Sequence, residues 1–206
     1  EMAPPYLIEQ YEGRPAELRR LLDMHDLELS SYYLGMTYDI PEERERGVAE
    51  FKRRCRFVAE LGYKNVLLDG GRKRPNTTPQ ALDDHIKIVA ETANMLGEYA
   101  RSLGLTLAWH QHWGSIFEVQ APFHRLMELT DPDVVGFCPD VGQLALGDFD
   151  VVDTVRRYVD RIRYVHYKDV TCAGRPQGEL WPGGPVVPSD DGAYGIDSRW
   201  RWVELG

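Results

Sequence analysis

Histidine, carboxylate, amide and amine side chains collect at the ends of apolar runs in this chain. His110 and His112 end "LTLAWHQH", Asp140 and Gln143 follow "VVGFC", and His166 and Lys168 lie in "IRYVHYKD". Imidazole and carboxylate on rigid elements suit a divalent metal such as Mn, Co, Zn or Fe, so His110, Asp140 and His166 are candidate ligands. His110 and His112 share strand parity, so one could bind metal and the other substrate. Gln143 could hydrogen-bond a hydroxyl or carbonyl. Lys168 could donate a proton or stabilise charge if its amine turns inward. Asp69 ends "NVLLDGG" and Trp113 could wall a pocket; with Glu118, close behind the histidines, they are candidate substrate contacts. Each has a plainer reading. Asp140 could only cap the turn Asp140-Val141-Gly142, Lys168-Asp169 could be an exposed pair, Trp109 and Trp113 could pack in a core, and Glu118 could start a helix. His25, His85 and His124 fall on helical stretches and read as structural.

The elements that must position these residues alternate helix with short apolar run. Pro15 opens a helix carrying Leu18, Leu21 and Leu22, which leads into the strand "LELSSYYLG". Pro41, Glu42 and Glu43 start a longer helix with Val48, Phe51, Cys55 and Val58 on one face, closed at Gly62. Thr78-Pro79 caps a helix with the stripe Leu82, Ile86, Val89, Ala93 and Leu96, closed at Gly104. Helices Pro122 to Leu129 and Val151 to Val159 follow, the second on the stripe Val152, Val155 and Val159. "KNVLLDGG", "LTLAWHQH", "VVGFCPD" and "IRYVHYKD" read as strands, and "EMAPPYLI" as a strand remnant. This pattern predicts parallel βαβ units, in a barrel or a doubly wound sheet. No strand–GxGxxG–helix or GxxxxGK[ST] stretch supports a nucleotide site. In a parallel sheet, ligands bind beyond the carboxyl ends of the strands, where these polar residues converge.

At 206 residues the chain has room for one sizeable domain. A net charge of -9 argues against a nucleic-acid surface. Lys52-Arg53-Arg54 reads as a solvated helix face, and Arg72-Lys73-Arg74 as a solvated loop that could also touch an anionic substrate. Cys55, Cys138 and Cys172 are odd in number and widely spaced, which fits a reducing cytoplasm. No apolar run has membrane-spanning length. The Gly- and Pro-rich stretch from Thr171 to Asp197 is long enough to be a functional loop.

"AWHQHWGSIFE", "GFCPDVGQLALGDFD" and "RIRYVHYKDV" resemble, in order and spacing, the xylose-isomerase-like barrel family of sugar isomerases and epimerases. The inosose dehydratase branch, in which a strand ends in a His-x-His-x-Gly-Thr-like motif, is nearest in feel. The resemblance implies a (β/α)8 TIM barrel with one divalent metal ion (Mn, Co, Zn, Mg or Fe), bound by Glu, Asp, His and a final Glu. By position the Asp is Asp140, the histidine is His166, and the first Glu position falls at or near His110. Gln143 stands where the family commonly has a histidine, which implies hydrogen bonding without proton transfer. The implied chemistry is proton abstraction beside the carbonyl of a sugar or cyclic polyol ketone. Isomerisation, epimerisation or dehydration would follow, in carbohydrate or inositol breakdown. The proton acceptor would be His112, Lys168 or a carboxylate outside the chain. Two rival readings are a non-catalytic sugar-binding or assembly module on a degenerate barrel, and an endonuclease IV-like phosphodiesterase, which the acidic balance disfavours. Expected partners are a small sugar or polyol and a second copy of the chain, with no nucleic acid and no membrane. The resemblance further implies one domain over residues 1–206 whose first and last β/α units lie outside it, since such barrels need about 250 residues. "WRWVELG" resembles the lead-in to a Gly-Glu-Gly segment carrying the fourth ligand.

Overall fold

The computed structural model describes residues 1, 5–35, 38–73, 77–147, 149–172 and 200–205. Helices α1 (Pro5–Tyr11) and α2 (Pro15–Met24) lead to strand β1 (Tyr32–Tyr33). Helix α3 (Arg44–Glu60) connects β1 to β2 (Asn65–Leu68), and α4 (Pro79–Ser102) connects β2 to β3 (Thr106–His110). A 3-10 turn at Ile116–Glu118 and helix α5 (Gln120–Leu129) lead to β4 (Gly136–Cys138). These strands form one parallel sheet in the order β1-β2-β3-β4. The register sets Val66 against Leu107 and His110 against Cys138. A doubly wound sheet reverses its strand order at a switch point; this one never reverses, which is the winding of a barrel.

The two faces of the sheet confirm that winding. Val66, Leu68, Leu107, Trp109 and Phe137 join the large core shared with the helices. Leu67, Ala108 and Cys138 point the other way into a small cluster with Tyr33 and Tyr164. The helices therefore cover one face, and the other turns inward. The expected helix faces hold: Phe51, Cys55, Val58, Ile86, Val89, Ala93 and Leu96 are all buried. Thr78 caps α4 by accepting the Ala81 N–H at 3.2 Å.

Several expectations change. The "EMAPPYLI" stretch is helical from Pro5, with Ile8 buried and Tyr11 against the core, a helical spacing rather than a strand's. Helix α3 starts at Arg44, and Pro41 to Glu43 form a turn before it. Gln120 rather than Pro122 opens α5. A helix absent from the sequence reading, α6 (Val141–Leu146), follows Asp140. Helix α7 (Val151–Arg157) buries Thr154, and Tyr158 beyond its end, while Val152 and Val159 are exposed. The apolar stripe there lost to an aromatic: Tyr158 packs among Phe123, His124 and Phe137. "IRYVHYKD" forms no continuous strand. It bridges β4 at Phe137–Ile162 and the residue capping α6 at Asp140–His166, and β5 (Asp169–Cys172) then pairs antiparallel with β6 (Trp200–Val203). Residues 173–197 of the Gly- and Pro-rich stretch lie outside the described residues.

The first basic run is largely paired rather than solvated. Arg53 bonds Glu50 and Glu12, each at 2.6 Å, and Arg54 is buried with its Nε on Glu50 Oε1 at 2.8 Å. The arginines hold the Glu50 carboxyl down at about 2. Cys55 and Cys138 are free and buried. Among the described residues, no helix is long and apolar enough to cross a membrane.

Helix α4 meets the turn before β4 at Gly97, where an added Cβ would lie 2.5 Å from the Val134 carbonyl oxygen. Backbone cannot yield there as a side-chain tip can. Gly97→Ala should lower unfolding stability by about 1–3 kcal/mol, despite a helix-propensity gain of about 1 kcal/mol. Urea denaturation of the two proteins measures it, and equal midpoints would show that the helix can shift freely.

Candidate active site

Asp140 sits where β4 ends and α6 begins. Its Oδ1 accepts the Gln143 N–H at 3.0 Å and so caps α6. Its Oδ2 faces the interior, where His110 Nε2 lies at 3.3 Å, His166 Nδ1 at 3.5 Å and Lys168 Nζ at 2.6 Å. Turn cap and site residue are thus the same carboxylate, one role per oxygen. Burial alone would raise its pKa. The groups from His110, His166, Lys168 and the Gln143 amide outweigh that and hold the carboxyl far below the usual range.

The two imidazoles differ. His110 is buried at the end of β3, and desolvation lowers its pKa, so its ring is neutral. Its Nδ1 lies 3.5 Å from the Tyr33 hydroxyl, which donates to Asp69 Oδ2 at 2.6 Å. His166 takes Glu1 Oε2 on its Nε2 at 2.6 Å. Burial opposes its charge, but Asp140 and Glu1 push its pKa up to about 9. One donor atom from each of His110, Asp140 and His166 fits within 4.8 Å of the other two. This is the one such group among the described residues. The buried His166 Nδ1 makes no full hydrogen bond and faces the same Asp140 oxygen as His110, so a cation there would meet both rings and the carboxylate. Two imidazoles and a carboxylate fit a divalent ion of the Mn, Co, Zn or Fe kind.

Beside this group opens a cavity of about 600 Å³ walled by His112, Trp113, Gln143, Lys168 and Trp202. Lys168 belongs to both places, its ammonium on Asp140 and 5.5 Å over the Trp202 ring. Gly142 lets this wall close: a Cβ there would meet Trp202 at 2.6 Å and Lys168 at 3.0 Å. Although β3 stops at His110, the rings of His110 and His112 stay on one side, 5.5 Å apart. His112 Nδ1 lies 2.5 Å from the Trp113 carbonyl oxygen. A carbonyl only accepts, so Nδ1 carries the proton and, in the neutral ring, Nε2 carries the lone pair. Gln143 Oε1 accepts the Trp113 N–H at 2.9 Å, leaving its NH₂ as the group it can offer the cavity.

Of the remaining expected contacts, Asp69 and Trp113 line a second cavity. Glu118 lines neither. It is buried, accepts the Gly114 N–H at 2.9 Å and pairs with Lys73, and so braces the loop after β3. Among the helical histidines, His25 is exposed and His124 bonds the Tyr158 hydroxyl at 2.8 Å. His85 is buried against Asp39. Sequence reading missed Glu1, Tyr33 and Asp39. Tyr33 shares parity with the inward face of β1 and could have been found. Glu1 meets His166 across 165 positions, which no local pattern signals.

Residues 1–197 match the xylose isomerase-like TIM barrel family. The chain belongs to that family. It is 30% identical over 166 residues to the inosose dehydratase of Geobacillus kaustophilus, covering 76% of this chain and 54% of that protein. The chain thus spans about half the length of the curated relatives it matches. A sugar phosphate isomerase/epimerase from Parabacteroides distasonis superposes with a TM-score of 0.64 at 23% identity, covering 79% of this chain and 59% of that one. A xylose isomerase-like TIM barrel protein from Mycobacterium smegmatis, solved in complex with magnesium, has a TM-score of 0.61 at 20% identity and covers 80% and 58%. Within this barrel, Gln143 stands where its oxygen ties the loop after β3 to α6. Gln143→Met removes the acceptor of a buried N–H and should cost about 1–3 kcal/mol. Hydrogen exchange at the Trp113 amide should quicken with it. Unchanged stability and protection would show that this bond does not hold the loop.

Proposed function

We propose that the protein is a divalent-metal-dependent enzyme that removes a proton beside the carbonyl of a sugar or cyclic polyol ketone, with dehydration its favoured outcome. The observation that carries this reading is the convergence of His110 and His166 on Asp140 Oδ2, with His112, Gln143 and Lys168 alongside. The inosose dehydratase relatives support the dehydratase outcome. The magnesium-bound neighbour and the group His110, Asp140 and His166 support a metal.

His110, Asp140 and His166 would hold the ion, which when bound would polarise a substrate carbonyl. His112 Nε2, with its tautomer set by the Trp113 carbonyl, takes the proton from the carbon next to the carbonyl. The electron pair left behind forms a carbon–carbon double bond as the neighbouring hydroxyl departs. Lys168 donates the proton that makes this leaving group water. The Gln143 amide donates to a substrate oxygen and holds the ring in place.

Metal analysis and turnover of an inosose test these roles separately. Asp140→Asn and His166→Ala should each lose the bound ion. His112→Ala should keep it and lose turnover about 100-fold or more. Gln143→Ala should also keep the ion while turnover falls. Full metal occupancy in the Asp140 variant would overturn the ligand assignment. A wild-type protein that binds a polyol but never turns it over would leave a binding module in its place.

A further inference from the structure

A second cavity, of about 520 Å³, opens beyond the ends of β1 and β2, and it shares His112 and Trp113 with the first. A ligand lying across His112 and Trp113 would therefore reach both. Beyond His112 and Trp113 its polar lining residues are Asp39, Arg54, Asp69, Arg72 and Ser115. Asp39 is buried, accepts the Arg72 N–H on Oδ2 at 2.7 Å, and has His85 Nε2 at 3.4 Å from the same oxygen. Burial would raise its pKa, yet His85 and the Arg72 N–H keep the carboxyl below the ordinary range, so it is an acceptor at neutral pH. Arg54 is also buried, with Nε on Glu50 and further N–H groups on the same rigid fork. Asp69 is held by Tyr33. Gly70 and Gly71 bring bare backbone to the wall: a Cβ at Gly70 would lie 2.5 Å from the Tyr38 hydroxyl, and Gly71 has φ +85°.

We propose that this second cavity is the subsite for the hydroxyl-bearing part of the substrate remote from its carbonyl, read by Asp39 and Arg54, and that it selects an uncharged polyol over a phosphorylated sugar. The inference rests on the reading of the first cavity as the reaction site. Each hydroxyl of a polyol both donates and accepts, and paired carboxylates with a guanidinium answer both halves. A phosphate needs a surplus of donors and positive charge. Here the Asp39 and Asp69 carboxylates in the wall, with Glu50 behind Arg54, offset the arginines Arg54 and Arg72. No sequence motif marked Asp39 or Arg54, because they come from the segment after β1 and the middle of α3.

Binding of myo-inositol and of myo-inositol 1-phosphate, measured by calorimetry on the purified protein, tests this without requiring turnover. The expected result is measurable myo-inositol binding, weaker binding of the phosphate, and at least a tenfold loss of myo-inositol affinity in Asp39→Asn and in Arg54→Gln. Metal content should be unchanged in both variants. Thermal melts identify a variant that fails to fold, and the other variant then carries the test. Tighter binding of the phosphate, or wild-type myo-inositol affinity in a folded Asp39 or Arg54 variant, overturns the proposal. Asp140→Asn separates the two readings: it should lose metal and turnover but keep myo-inositol binding. Polyol binding sensitive to Asp39 in a protein without turnover would sink the proposed reaction and leave the subsite standing.

Discussion

Asp140 is fully buried, and each of its oxygens holds a different part of the molecule. Oδ1 caps α6, which fixes where Gln143 stands and so ties the loop after β3 through the Trp113 N–H. Oδ2 draws together His110 from β3, His166 from the segment beside β4, and Lys168 from the approach to β5. An anion in that position cannot be left alone: uncompensated, a buried charge costs several kcal/mol. The groups around it are therefore both its stabilisation and the site itself. The same demand explains why 162–166 stays beside β4 with only single bridges, since the Asp140–His166 bridge brings the backbone and the side chains together at one place.

The singly wound sheet puts that carboxylate where chemistry is accessible. Among the described residues helices cover one face, and the inward residues of successive strands share one interior and one mouth. His110 stands at the last residue of β3 and Asp140 just past β4, where the small inward cluster of Leu67, Ala108 and Cys138 gives way to polar groups. A low-dielectric floor under the site strengthens the charge interactions above it and keeps His110 neutral. Trp202 of β6 and Lys168, just before β5, form one wall of the first cavity, closed against the bare backbone of Gly142.

Much of this was legible in local pattern. The stripes of α3 and α4, their caps and the apolar runs of β2 to β4 are periodic signals, and periodicity reports which face a residue shares with its near neighbours. The convergence of His110, Asp140 and His166 was legible too, because segments running parallel end together, even where 162–166 makes only single bridges. The misreadings fell where local pattern and tertiary packing disagreed. Val152 and Val159 made a plausible stripe, but Tyr158 fills the aromatic cluster with Phe123 and Phe137, and the helix turns to suit it. The α6 helix was hidden because Asp-Val-Gly is a turn signal until a buried cap and Leu144 and Leu146 make it worth continuing.

The sequence by itself determined the fold class, the winding units and the residue types available at the strand ends. Only the tertiary structure decided how those residues are used. It turned His166 Nδ1 toward Asp140 by putting Glu1 on the opposite nitrogen, and it set the His112 tautomer with a carbonyl. It spent the Gln143 oxygen on the loop after β3, and it set Asp39 against His85 behind a second cavity. These are hydrogen bonds and ion pairs whose value depends on distances of a few tenths of an ångström. Most join residues far apart in the chain. A helical or strand period carries no record of such pairings, because it encodes the direction of a side chain and not the atom it meets.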